Sequence, residues 1–174
     1  MWAAILKMSV SKHRSYTKLA FNSAWCADRG VTSWILPDDA GALGIHDDHG
    51  VTVSDELPAG ADLVLSLGGD GTMLRSVGLL DGAAVPLLGV NLGSLGYLTE
   101  VEPDLVADSL DRFLRGADDG EWHLDRRMML DVSINGERAG RALNEAVVEK
   151  AHPGHTVRLL ARLDGEPFTH YAAD

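Results

Sequence analysis

Apolar residues fall in short blocks along this chain, and the spacing inside the blocks changes with position. Residues 2–10 form a first run of strand type. Tyr16, Leu19, Ala20, Ala24 and Trp25 then recur at helical spacing behind Ser15 as N-cap, with Gly30 as the stop. Val31 to Leu36 reads as a second strand closed by Pro37, and residues 38–60, rich in Asp, Gly, Ala and His, read as loop with a short helix at most. Leu63 to Leu67 is a further strand, followed by a helical run from Met73. Val85 to Val90 is the next strand, and Pro103 opens a helix with Leu105, Val106, Leu110, Phe113 and Leu114 on one face. Strands alternating with helices at this pitch predict an α/β fold with an open, parallel, doubly wound sheet of the Rossmann-like kind.

The period shifts after Gly116-Ala117-Asp118-Asp119-Gly120. Met128, Leu130, Val132 and Ile134 alternate with Arg127, Met129, Asp131 and Ser133, the period-2 pattern of a half-buried strand. Asn135-Gly136 and Asp164-Gly165 are hairpin turn signals. The expected organisation is an α/β domain over 1–115, a linker at 116–120, and the incomplete start of a β-rich domain over 121–174. An unfinished sheet leaves unpaired edges, so residues 121–174 are expected to be loosely ordered alone or paired across a homo-oligomer interface.

Two glycine loops carry the candidate chemistry. Gly68-Gly69-Asp70-Gly71-Thr72 lies between an apolar strand and a helix. Its glycines suit a backbone at φ > 0 and close approach to a ligand, and a helix start offers free N–H groups to phosphate. A carboxylate beside phosphates repels them unless it holds a metal ion or accepts a proton, so the loop reads as phosphoryl transfer with Asp70 as its chemical residue. The plainer reading is a tight turn whose Asp caps the helix. No Gly-Lys-Ser/Thr follows, and the glycine spacing differs from the dinucleotide fingerprint. The strand Val85 to Val90 runs into a second loop, Gly89-Val90-Asn91-Leu92-Gly93-Ser94-Leu95-Gly96-Tyr97-Leu98-Thr99-Glu100. Ligands of open α/β sheets bind at the carboxyl ends of strands, and two glycine loops at two such ends make one crevice.

GGDGT, GVNLGSLGYLTE and Asn144-Glu145 within ALNEAVVEK, in that order, resemble the motifs of the NAD kinases. GGDGT alone is shared with diacylglycerol, sphingosine and phosphofructokinase relatives; the other two segments are more specific. Tyr97 stands where the family usually has Phe. The resemblance implies phosphoryl transfer from ATP or polyphosphate, with a divalent metal (Mg), to the 2′-hydroxyl of the adenosine ribose of NAD, giving NADP. It implies that Asp70 accepts the hydroxyl proton or helps hold magnesium, and that Gly68, Gly69, Gly71 and Thr72 cradle phosphates through their N–H groups. Asn91 would shape the adenine side, Asn144 and Glu145 would fix the ribose, and Asp174 would contact the nicotinamide side. Arg75, read from its place in the first helical turn after GGDGT, either reaches a triphosphate or is a surface arginine. In the family, the Asp at the position of Asp174 is followed by Gly and a Thr-Pro-Thr-Gly-Ser-Thr-Ala-Tyr segment. The chain is therefore expected to represent the front portion of such an enzyme and to be inactive alone. A diacylglycerol-type lipid kinase domain and a non-catalytic nucleotide-binding fragment are the alternatives.

Composition narrows the partners. The 174 residues carry 15 basic and 26 acidic side chains, a net charge of −11, which argues against nucleic acid or an anionic membrane as partner. No run approaches the ~18 apolar residues of a membrane span, and Met1 to Val10 lacks a secretory pattern. A lone cysteine, Cys26, excludes an intrachain disulfide, fits a cytoplasmic protein and reads as a buried structural thiol. His46-Asp47-Asp48-His49 lacks fixed ligand spacing and reads as a solvated turn, so these four are not assigned as a metal site. Trp2, Trp25, Trp34 and Trp122 are scattered and read as packing anchors, and Arg126-Arg127 has no assigned chemistry.

Overall fold

A parallel strand covered on both faces has to be apolar at nearly every position. Leu63–Gly68 meets that condition, with all six residues buried. The computed structural model describes residues 2–8, 23–46, 51–93, 96–116, 121–152 and 156–173, and the chain divides into two units, Met1–Met128 and Met129–Asp174.

In the first unit, β1 (Trp2–Met8), β2 (Val31–Ile35), β3 (Val51–Val53), β4 (Leu63–Gly68) and β5 (Leu87–Asn91) form one sheet in the order β3-β2-β1-β4-β5. Every pairing in it is parallel. The helices are α1 (Ser23–Arg29), α2 (Pro37–Leu43), α3 (Asp70–Leu80) and α4 (Val106–Arg115), the last preceded by a single 3-10 turn at Pro103–Leu105. The core gathers Ile35, Leu65, Leu67, Val90 and Val106. The α/β class and the parallel sheet expected from the sequence are both borne out.

Several local expectations shift. The first helix is described from Ser23 to Arg29 and ends at Gly30 with φ +63°; its expected start at Ser15 lies outside the described residues. Pro37 does more than close β2, because it occupies the first turn of α2, where a missing N–H costs nothing. The region expected to be loop also contains β3, whose three residues are too short to show a period. Leu105 does not join the buried stripe of α4, since it sits in the preceding 3-10 turn and is exposed. Trp122 anchors the same region, its Nε1–H donating to the Arg112 carbonyl at 3.1 Å and its ring lying 5.0 Å from that of Phe113.

The second unit holds two antiparallel hairpins, β6 (Leu130–Ile134) with β7 (Glu137–Ala142) and β8 (Val157–Leu163) with β9 (Glu166–Ala173). Both turns have two residues at positive φ, Asn135 (54°) with Gly136 (87°) and Asp164 (50°) with Gly165 (85°). That is the geometry the sequence signals demand. The half-buried strand is a different matter: Met128 lies before β6, and Leu130 and Ile134 are exposed, because a two-stranded ribbon offers little to bury against.

Candidate active site

The winding of the sheet reverses where β1 has β2 on one side and β4 on the other. In open α/β sheets that reversal opens a crevice at the carboxyl ends of the strands. β4 ends there at Gly68, which is buried and pairs with Asn91 of β5. Gly69 is the N-cap of α3 and Asp70 its first residue.

The glycines of this loop do not use left-handed backbone. Gly69 has φ −103°, and neither Gly68 nor Gly71 stands at positive φ. Their value lies in what is missing. A Cβ at Gly69 or Gly71 would meet nothing within 4 Å, so both positions leave open space beside the start of a helix. Thr72 is buried, and its N–H already donates to the Gly69 carbonyl at 2.9 Å. Arg75 is exposed on α3.

The second loop returns to the first through its backbone. Leu92 N–H donates to the Gly68 carbonyl at 3.3 Å. Asn91 is buried and spends its Oδ1 on the Gly93 N–H at 3.1 Å, so this side chain shapes its own loop. Downstream, the N–H groups of Glu100 and Val101 both donate to the Gly89 carbonyl at 3.1 Å, and Asn91 N–H donates to the Val101 carbonyl at 2.8 Å.

Asp70 joins the two loops. Its Oδ2 accepts the Tyr97 N–H at 2.9 Å and its Oδ1 accepts the Leu98 N–H at 3.0 Å. These two donors hold the carboxyl below the usual aspartate range, the Tyr97 amide contributing most. Asp70 is therefore not the helix cap of the plainer sequence reading, since the cap is Gly69. Tyr97 is 96% exposed beside this junction. Gly96, Tyr97 and Leu98 were not singled out as site residues from the sequence, although the GVNLGSLGYLTE run contained all three.

In the second unit, Asn144 and Glu145 lie just past the end of β7 and are exposed. Residues 145–150 have no regular structure, so Val147 and Val148 do not continue a strand. Ser94, Leu95, Asp174 and the acidic part of His46-Asp47-Asp48-His49 lie outside the described residues. Among the described residues, no group of three His, Cys, Asp or Glu side chains could hold a metal ion, and no helix is long and apolar enough to cross a membrane.

The family described as the ATP-NAD kinase N-terminal domain matches residues 7–117, which is more than half of the chain and takes in both glycine loops. The chain belongs to the NAD kinase family. It is 37% identical over 157 residues to the NAD kinase of Mycolicibacterium paratuberculosis, covering 87% of this chain and 49% of the relative. It is 40% identical over 156 residues to the NAD kinase of Geobacter metallireducens, covering 86% of this chain and 52% of the relative. The chain thus spans about half the length of the curated NAD kinases it matches. Among solved structures, yeast NADH kinase complexed with NADH shares the fold, with a TM-score of 0.74 over 100% of this chain and 53% of the other, at 18% identity.

Proposed function

We propose that this chain carries the phosphate-binding part of an NAD kinase. The reaction is transfer of the γ-phosphoryl group of ATP, or of a terminal polyphosphate unit, to the 2′-hydroxyl of the adenosine ribose of NAD. The 2′-oxygen forms the new P–O bond in line with the departing oxygen of ADP or of the shortened polyphosphate, whose P–O bond breaks, and the hydroxyl proton passes to solvent water, giving NADP. The observation that supports this reading best is the junction at the carboxyl ends of β4 and β5, where one carboxylate bridges two glycine loops beside a helix start.

Gly69 and Gly71, open on their outer side, are the phosphate cradle, with Arg75 as the cation within reach along α3. Thr72 contributes less, because its amide is already bonded. Of the two roles expected for Asp70, the geometry favours holding magnesium. Two amide donors stabilise the charged form and so weaken it as a proton acceptor. Each oxygen keeps a further lone pair, and magnesium is commonly bound through one or two carboxylates together with substrate phosphates. A magnesium ion held by Asp70 would supply positive charge to offset that of the transferring group, and positioning by the loops supplies the rest.

In the second unit, Asn144 and Glu145 bind the adenosine part of NAD, the carboxylate accepting from the ribose hydroxyls, and Asp174 meets the nicotinamide side. We further read residues 1–115 as the phosphate-binding domain, 116–120 as linker and 121–174 as part of the NAD-binding domain. We take the protein to be cytoplasmic and homo-oligomeric, a dimer or tetramer, with no nucleic-acid or membrane partner. Calorimetry with ATP, tripolyphosphate and NAD, followed by an assay for NADP, tests the assignment. Binding of neither phosphate donor at millimolar concentration, or phosphorylation of diacylglycerol micelles in place of NAD, would remove it.

A further inference from the structure

A side chain can satisfy two backbone donors in a neighbouring loop only if that loop comes close enough to share one carboxylate. Here the approach is made possible at Gly96. A Cβ on Gly96 would collide with Asp70 Oδ1 and lie 2.9 Å from its Cγ and 3.2 Å from its Oδ2, and these three are the nearest heavy atoms it would meet. Gly96 is not at positive φ, so its backbone is open to any residue. Among the described residues, the closest constraint on this position is the Asp70 carboxylate.

We propose that Gly96 is a positioning residue of this site: by having no side chain it seats the Asp70 carboxylate on the Tyr97 and Leu98 amides, and so fixes both the chemical carboxylate and the backbone that carries the exposed Tyr97 ring. With any side chain at 96, the carboxylate swings off its seat and both amides lose their acceptor. The Tyr97–Leu98 backbone then has no side-chain tie to α3 through Asp70. Position and charge at Asp70 become separable, since Gly96→Ala keeps the carboxylate and moves it, whereas Asp70→Ala removes it. Amide exchange on the unliganded chain is independent of the reaction assigned above, so the proposal can fail while that assignment stands, and the reverse.

The test is a double-mutant cycle read by amide hydrogen exchange at Tyr97 and Leu98 in the 174-residue chain, with Leu65 and Val90 as core controls. Gly96→Ala and Asp70→Ala should each speed exchange at both amides by about tenfold or more, the controls holding. The double variant should be no faster than either single one, because the alanine at 96 then meets no carboxylate. Unchanged exchange in Gly96→Ala, or effects that multiply in the double variant, would overturn the proposal. If Gly96→Ala does not fold, the double variant decides, because its alanine meets no carboxylate: it should fold, and failure of the double variant to fold would overturn the proposal.

Discussion

Ser66 of β4 and Ser76 of α3 share a hydrogen bond of 3.1 Å between their hydroxyls at sites that are 0% and 1% exposed. The Ser76 hydroxyl also lies 3.0 Å from the Thr72 carbonyl. Two small polar residues thus bring the helix that carries Asp70 close against the strand that leads into it. Ser76→Ala is expected to cost roughly 1–3 kcal/mol by stranding the Ser66 hydroxyl. Removing both hydroxyls should cost less than the two single changes added together. Denaturant unfolding of the four proteins of the cycle measures this, and strict additivity would show that the hydroxyls do not pair.

Gly89 of β5 is crowded from another direction. A Cβ there would lie 2.9 Å from the Met73 sulfur, 3.0 Å from the Leu98 carbonyl oxygen and 3.1 Å from Thr99 Cα. The sulfur can move, but the two backbone atoms cannot move without dragging the returning segment. Gly89→Ala should therefore destabilise by about 1–3 kcal/mol, and a second change at Met73 should restore little of it. Full rescue by Met73→Ala would mean that the methionine alone made the crowding.

Cys26 is half-buried in α1, and burial pushes its thiol up against the opposing effects of a Ser33 hydrogen bond and the Arg29 charge. A raised value means the folded chain holds the thiol proton more tightly than the unfolded one. Its contribution to stability is then complete below the unfolded thiol value and is lost as pH rises through the folded value. Alkylation by iodoacetamide at neutral pH should run slower than on free cysteine, and should accelerate with pH and on unfolding. A rate equal to that of the free thiol would contradict the burial.

On the proposed reading, Glu145→Gln in a complete enzyme should weaken NAD binding by about tenfold or more, and weaken ATP binding less. A carboxylate on ribose hydroxyls makes charge-assisted bonds of roughly 1.5–3 kcal/mol. Equal losses for the two nucleotides in calorimetry would take Glu145 off the ribose.

What could be read from the sequence divides along physical lines. Leu63–Gly68 was legible because burial on both faces forces an unbroken apolar run, and GGDGT then marked where that run ends. Asn135-Gly136 was legible because its turn demands two residues that tolerate positive φ. Val51–Val53 was hidden, since three residues cannot display a period. The partners of Asp70 were hidden for a deeper reason. They are backbone amides 27 and 28 positions away, and a backbone N–H is the same whatever residue bears it. Only the glycine at 96 left a trace of that contact in the letters.

The placement of β1 between β2 and β4 also sets a clock. Its second neighbour begins at Leu63, so the middle of the sheet cannot close until some sixty residues further have been made. Each hairpin of the second unit closes over two residues and should form in ~1–10 μs, whereas non-local parallel pairing is slow. In refolding, hairpin signals should therefore precede burial of Val64 and Leu65. During synthesis the order inverts, because the ribosome releases β1, β4 and β5 before either hairpin exists.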